Sequence, residues 1–548
     1  MKKIIAFIFF FINWIGANSQ IPELIKDIYP GGAGIDIYNP ALVEYNNRAY
    51  FGGMDYANGT ELWATDGTEG GTVMIKDIWT GSGSSFPRHI TVFNGALYFS
   101  AYDLNHGEEL WVSDGTDAGT NLVKDINPGV AGASPTGFTA YNNKLYFSAT
   151  DGSHGYEVWV TDGTTAGTMM LKDINPGTSF SFPAGYIVFN GMLYFSATES
   201  TDGYELWITD GTTAGTQMLK DINPGAGDGY PYMQDRTIYN GKLYISASDG
   251  VNGFEFWSTD GTAAGTQMVK DIYTGTGGSY PAHLIVYNNE LYFTAFDSTH
   301  GNELWTSDGT SGGTQLVKDI REGVQGGCSA YMTVHDSKLF FAANDGLNGL
   351  ELWSSDGTAT GTQMAEDLLP GSGSSNPVKL AVSNNKLYFV GQQNYTDGYQ
   401  LFRYDDATGT ELQIAPPTHL GNACADNALD DWSVLSTTLG MLIYPAFYDS
   451  AGMELYKLIT FTGGISEAGI NFNLSIFPNP ASESTNIVLP YSVEGTLTVF
   501  SIAGREIISE NFEEKNSLVL DVSTFSDGVY IVQLTTAKGS FIKKFIKE

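Results

Sequence analysis

One phrase recurs through the chain and limits what it can fold into. Glu61-Leu62-Trp63-Ala64-Thr65-Asp66-Gly67-Thr68 returns at Glu109-Leu110-Trp111, Glu157-Val158-Trp159, Glu205-Leu206-Trp207, Glu255-Phe256-Trp257, Glu303-Leu304-Trp305 and Glu351-Leu352-Trp353, so the tryptophans are spaced 48, 48, 48, 50, 48 and 48 residues apart. A unit of that length cannot bury its apolar face alone, and a fixed period near 48 means a propeller or a solenoid. Two worn copies follow at Gln400-Leu401-Phe402 and Glu454-Leu455-Tyr456, which makes nine units. The repeat overrides length: 548 residues would otherwise suggest about three or four domains of roughly 150 residues each.

Residues 88–126 predict four strands within one unit: Ile90 to Phe93, Ala96 to Tyr102, Glu108 to Ser113 and Thr120 to Ile126. Asn94-Gly95 is a two-residue hairpin signal, because both residues accept positive φ at little cost. Asp114-Gly115-Thr116 opens the turn between the last two strands, where Asp and Thr side chains bond backbone amides. Four antiparallel strands per unit make a propeller blade. The N-terminal Glu23-Leu24-Ile25-Lys26-Asp27-Ile28-Tyr29-Pro30-Gly31 reads as a fourth strand alone, like Asn121-Leu122-Val123-Lys124-Asp125-Ile126-Asn127-Pro128-Gly129. The last unit has three strands, near 432–435, 441–447 and 453–459, and lacks that segment. The N-terminal strand is therefore expected to complete the last blade and remove the open sheet edges. The expected fold is all-β: a propeller of nine four-stranded blades spanning 20–472, or eight if the worn pair at 378–460 merges or one is displaced. A small Ig-like β-sandwich follows at 473–548.

The ends carry addresses. Lys2-Lys3, an apolar run from Ile4 to Ile12, and small residues at Ala17 and Ser19 describe a secretory signal peptide over residues 1–19. No second apolar stretch long enough to span a bilayer follows. From Asn473 the repeat stops, and Pro478-Asn479-Pro480, Asp521-Val522-Ser523, Gly528-Val529-Tyr530 and a Lys-rich end at Lys543, Lys544 and Lys547 follow in order. In these motifs the tail resembles the type A C-terminal sorting domain of the type IX secretion system. The resemblance implies a Gram-negative cell, the type IX machinery as partner, and release from the cell or attachment to its surface. The seven intact copies in turn resemble the ELWxxDGT repeat family of secreted proteins; units eight and nine depart from it, with Tyr404-Asp405-Asp406 in place of Thr-Asp-Gly. That family implies an architecture and an address, and no substrate.

Charge and symmetry restrict the chemistry. The net charge of −35 falls almost wholly on residues 20–472, which carry −34. Such a surface repels phosphate backbones, so nucleic acid is excluded as a partner. The acidic positions recur in every unit: Asp66, Asp114, Asp162, Asp210, Asp260, Asp308 and Asp356, with a Glu five residues before each. A catalytic carboxylate pair is needed once, in surroundings that separate its two pKa values. Seven equivalent copies suit a structural role instead, with Asp capping the turn and Glu bonding a neighbouring strand or blade. The tryptophans Trp63, Trp111, Trp159, Trp207, Trp257, Trp305 and Trp353 are read likewise, as core between blades. A turn opened by Asp resembles the Asp-box of sialidase propellers, itself a fold element; a sialidase also needs three gathered arginines. Arg48, Arg88, Arg236, Arg321 and Arg403 are neither repeated nor clustered. No catalytic residue is therefore assigned, and whether the protein is an enzyme stays open.

Hard-oxygen loops of the pattern Asp55-x-x-Asn58, Asp249-x-x-Asn252 and Asp345-x-x-Asn348, with His at His106, His154 and His300, suit Ca²⁺ by ligand type but hold too few carboxylates for an EF-hand. No cofactor or metal residue is assigned; Ca²⁺ is the one ion the pattern leaves open. What varies between units is the loop joining a fourth strand to the next first strand. Four of these loops carry an aromatic before proline, at Phe86, Phe182, Tyr230 (with Tyr232) and Tyr280. Exposed rings at such a mouth would bind glycan or protein; packing between blades is the competing role. The only two cysteines, Cys328 and Cys424, lie in the same class of loop and can form a disulfide or remain thiols. The sequence therefore points to a secreted or surface-attached binding propeller. A glycan-cleaving enzyme with a one-off site near 395–406 or 426–432, and a purely structural surface protein, are the alternatives.

Overall fold

The structure, a computed structural model, describes residues 23–36, 42–383, 385–394, 399–404, 411–413, 435–436, 441–447, 453–459, 475–477, 481–501, 506–526, 528–536 and 539–547. The predicted signal peptide, Cys424, half of 395–406 and all of 426–432 lie outside these residues. Among the described residues every regular element is a β-strand. The strands form nine four-stranded sheets and one five-stranded sheet. The nine belong to a compact unit, Ser19–Thr460, and the tenth to a unit holding Phe461–Glu548.

The second blade shows how the repeat folds. Arg88–Phe93, Ala96–Asp103, Gly107–Ser113 and Asn121–Lys124 pair in antiparallel order. Asn94 and Gly95 turn the first hairpin at φ 47° and 73°. The fourth strand is shorter than the expected Thr120 to Ile126, and side chains explain both ends. Thr120 belongs to the turn, its hydroxyl donating to the Thr116 carbonyl at 2.7 Å. Ile126 leaves the ladder because its N–H donates to the Glu109 carboxylate at 2.9 Å. The first strand also carries a bulge that alternation did not reveal, between Arg88 and Thr91.

The Asp-Gly-Thr turns are built alike. Asp66 Oδ1 accepts from the Thr68 N–H at 2.9 Å and the Thr68 hydroxyl at 2.6 Å, and Thr65 Oγ1 lies 2.7 Å from Thr72 Oγ1. The same Asp–Thr pair of bonds recurs at Asp114, Asp162, Asp210, Asp260, Asp308 and Asp356. Those bonds favour the ionised form and hold the Asp114 carboxyl below its ordinary pKa. The glycine has a second reason: Gly115 sits at φ 91°, and a Cβ there would meet the Tyr50 hydroxyl of the preceding blade at 2.4 Å.

Each blade packs on the next. Trp111 lies in a core with Tyr50, Leu62, Ile75 and Ile78 of the first blade and Leu97 and Phe99 of its own. Equivalent cores join the second blade to the third and so on to the ninth. A further core packs Ile25, Ile28, Ile443 and Leu455 against Ala49, Phe51 and Trp63, linking the ninth sheet back to the first. Lysines fasten the same junctions: the Lys124 ammonium lies 6.0 Å from the Trp159 ring and donates to the Thr168 carbonyl at 2.7 Å. Lys26, Lys172, Lys270 and Lys318 repeat this arrangement over Trp63, Trp207, Trp305 and Trp353.

The ninth sheet is completed from the other end of the chain. Leu435–Ser436, Met441–Phe447 and Met453–Ile459 are joined by Glu23–Lys26, with Glu23 opposite Lys457 and Leu24 opposite Tyr456. First strands of successive blades lie against one another from the first blade to the eighth. They therefore form the inner edge of the array.

The tail unit, expected as a small Ig-like β-sandwich, is all-β, with its strands hydrogen-bonded in one continuous order. Its strands form one connected sheet in the order Ser475–Phe477, Ser484–Ser501, Gly528–Thr536, Gly539–Lys547, with Glu506–Asp521 also paired to Ser484–Ser501. The register between the two longest strands shifts between Val488 and Gly495, and beyond it Ser484–Ser501 also pairs with Gly528–Thr536. That shift lets one sheet surround one core, made of Ile487, Val499, Val532, Leu534 and Phe545 among others.

Candidate ligand-binding face

The repeated glutamates hold the loops that leave each blade. Glu61 is fully buried, and its carboxylate accepts from the N–H groups of Ile78 at 2.7 Å, Trp79 at 3.3 Å and Ser85 at 3.1 Å, and from the Ser85 hydroxyl at 2.7 Å. Glu157, Glu255 and Glu351 hold Ser181, Ser279 and Ser375 in the same way, and Glu205 accepts from the Gly229 N–H. The expectation that these glutamates bond a neighbouring strand or blade was thus only half right, since their main partner is the outgoing loop.

Burial pushes the carboxyl groups of Glu61, Glu109, Glu157, Glu205, Glu303 and Glu454 up to about 7, against the pull of their N–H and O–H donors. Native groups then hold protons that the unfolded chain, with glutamates near 4.5, releases. Over that interval the native state binds more protons, so the stability these glutamates contribute is full below about pH 4.5 and is lost as pH rises through about 7. Melting temperature is expected to drop between pH 5 and pH 7 and then level off. The drop should persist in high salt, which screens exposed charges but not buried ones.

Immediately after the anchored residue come the loop aromatics. Phe86, Phe182, Tyr230 and Tyr280 all have left-handed backbone, at φ 45°, 45°, 40° and 47°. A bulky residue there is an outlier costing on the order of 1–3 kcal/mol. Backbone bonds impose it: Phe182 donates to the Tyr156 carbonyl at 3.2 Å, Tyr230 to Tyr204 at 3.0 Å and Tyr280 to Phe254 at 3.1 Å. The conformation lifts the rings outward, leaving Phe182 53%, Tyr230 50% and Tyr280 62% exposed. Phe86 is half-buried, with the Arg88 guanidinium 5.4 Å from its ring. Tyr232 begins the first strand of the fifth blade, opposite Ser246; its side chain is not described.

Three rings missed by sequence reasoning join these into a band. Tyr156, Tyr204 and Phe254 stand just before the repeated glutamate. Phe182 lies 6.0 Å from Tyr156 and 5.1 Å from Phe180, and its carbonyl accepts from the Tyr204 hydroxyl at 3.2 Å. Tyr204 lies 5.7 Å from Tyr230, Tyr230 6.3 Å from Phe254, and Phe254 5.4 Å from Tyr280. The band crosses from the third blade to the sixth. Its signal was a column of the repeat, aromatic in three consecutive units.

At Tyr280 the band meets a surface pocket of about 550 Å³, lined by Tyr273, Ser279, Tyr280, His283, Phe296 and Asn302 among others. Tyr273 and Phe296 stack at 5.6 Å with their planes 15° apart. The His283 N–H donates to Asp235 at 2.6 Å, bracing the fifth and sixth blades together.

The remaining candidates take other roles. In the Asp-x-x-Asn and Asp-x-x-His loops the last residue closes on the first: Asn58 Nδ2 donates to Asp55 at 2.9 Å, and His106 Nδ1 lies 2.7 Å from Asp103. Among the described residues no group of three or more His, Cys, Asp or Glu side chains is gathered for a metal ion. Cys328 opens the first strand of the seventh blade and is buried, 4% exposed, in the core with Phe341 and Trp353.

Comparison with known proteins gives two family matches. Residues 475–548 match the model described as secretion system C-terminal sorting domain, and residues 192–426 match the one described as outer membrane protein assembly factor BamB. No curated protein matches the chain. Among solved structures it is similar to a puromycin hydrolase (12% identity, TM-score 0.35, 74% of this chain and 58% of that one). A structure from a study of two prolyl endopeptidases aligns at 9% identity and TM-score 0.36, over 74% of this chain and 54% of that one. The β-propeller domain of the Trilobed protease from Pyrococcus furiosus aligns at 9% identity and TM-score 0.29, over 60% of this chain and 98% of the domain. The chain thus spans little more than half the length of the first two.

Proposed function

We propose that this is an exported binding propeller of the ELWxxDGT repeat type, which holds a neutral glycan outside the cell on its inter-blade aromatic band. Export rests on the sorting tail at 475–548. The signal peptide at 1–19, the type IX machinery as partner and a surface or secreted location complete this reading. Phe182, Tyr230 and Tyr280 make the contact, with Phe86 and Tyr232 at its margins. The observation that carries the proposal is the conformation of those three rings, each held outward in a strained backbone by a buried carboxylate's loop. Ser134 and Asn376 share that backbone at the same point of their loops, at φ 46° and 49°, so the loop sets the conformation and the outward ring is what Phe182, Tyr230 and Tyr280 add to it. Ring faces meet the apolar faces of sugars. The −34 charge of residues 20–472 disfavours anionic polymers.

The test is calorimetric titration of the signal-free chain with soluble amylose, laminarin, glucomannan and xylan, with an anionic pectin as control. At least one neutral polysaccharide is expected to bind, intact and uncleaved after prolonged incubation. Binding of pectin alone, or of none, contradicts the reading, and release of reducing ends would move it to the enzyme alternative.

A further inference from the structure

Resting on that reading, we infer that the pocket at the junction of the fifth and sixth blades is a chain-end subsite: it takes the terminal sugar of the glycan whose following sugars lie along the aromatic band. The band alternates a loop ring with a ring of the next blade, Phe182 then Tyr204, Tyr230 then Phe254, Tyr280 then residue 302. Residue 302 is Asn, where the three preceding blades have Tyr156, Tyr204 and Phe254. The next ring of the series is thus missing, and Asn302 lines the pocket at that point.

A second substitution opens the same place. In the loops after the second, third and fourth blades an asparagine braces the loop on itself: Asn127 donates to the Gly132 carbonyl at 2.6 Å, Asn175 to Phe180 at 3.0 Å and Asn223 to Asp228 at 3.1 Å. In the fifth loop this position is Tyr273, whose ring instead stacks on Phe296 and forms a pocket wall. Both departures from the pattern of the preceding three blades meet at this junction, and the pocket lies where the aromatic band ends.

The lining suits one sugar ring. Tyr280, Tyr273 and Phe296 supply apolar faces. Asn302, its amide nitrogen donating to the Cys328 carbonyl at 3.0 Å, keeps its amide oxygen as an acceptor. His283, with its backbone held at φ 57° and its N–H on Asp235, leaves an imidazole at the wall. A cavity of this size falls in the range of small-molecule sites, about 300–1,000 Å³. No acidic side chain lines it, so a neutral terminus meets no uncompensated charge.

Counting chain ends tests the subsite. Amylose, laminarin, glucomannan and xylan are each titrated intact and after cutting to short oligosaccharides, at equal mass. For those that bind, the number of sites filled per mass is expected to rise as cutting multiplies the ends. Asn302→Tyr, which restores the residue type of the third and fourth blades, is expected to remove that dependence and weaken short chains about tenfold, while intact polymer still binds through the band. Sites per mass unchanged on cutting, or N302Y binding short chains as well as the parent, overturns the subsite and leaves the band standing. Failure of all four polysaccharides to bind overturns both.

Discussion

Deleting residues 20–28 is expected to lower the melting temperature by tens of degrees and to promote association between chains. The deletion removes the fourth strand of the ninth sheet and takes Ile25 and Ile28, 3% and 8% exposed, out of the core shared with the first blade. Each such truncation alone costs about 2–5 kcal/mol. It also strips a donor from a buried carboxylate, since the Ile28 N–H bonds the fully buried Glu454. An uncompensated buried charge adds about 3–5 kcal/mol. By contrast the Lys457–Glu23 ion pair, 3.2 Å long with Glu23 61% exposed, contributes little. The freed edge of Met453–Ile459 would then be open to another chain. Differential scanning calorimetry and sedimentation velocity read both effects. A deletion mutant that melts within a few degrees of the parent and sediments as the parent does would show that the array does not depend on this strand for closure.

The second large effect concerns binding. Tyr230→Ala with Tyr280→Ala should weaken glycan binding at least about a hundredfold, because truncating a central aromatic contact costs about 2 kcal/mol or more. Stability should not fall with it. Both side chains are at least half exposed, and alanine relieves part of the cost of a bulky residue at positive φ. Binding and melting temperature therefore separate, the former lost and the latter unchanged or slightly raised. Equal loss of both would mean that the rings pack the fold and serve no ligand. Trp207→Ala is the matching control. Its side chain is 3% exposed in the core between the third and fourth blades, so stability falls first.

Much of this arrangement was legible in the sequence, for a physical reason. A blade is specified locally, by alternating apolar residues, an Asn-Gly hairpin and an Asp capping its own turn, and each signal lies within a few residues of what it determines. Even the long-range pairing of Glu23–Lys26 with Met453–Ile459 could be read, because the terminal fragment repeats the text of every other fourth strand. Where side chains took over from the backbone, the reading failed. Ile126 reads as a strand residue, yet its N–H goes to Glu109, and no local pattern announces that a buried carboxylate will end a ladder. The aromatic positions before proline were visible, but not their left-handed backbone, which the usual signals reserve for Gly and Asn. The pocket was hidden for the opposite reason: Asn302 and Tyr273 are ordinary residues that acquire meaning only against the columns they break.

The account stands or falls on which face meets the glycan. Hydrogen–deuterium exchange of the signal-free chain, with and without the polysaccharide that binds, reports this directly. The prediction is slowed exchange at 180–184, 228–233 and 277–284, with no change at the Asp-Gly-Thr turns around Asp162, Asp210, Asp260 and Asp308. Protection at those turns, or spread evenly over all blades, would contradict it.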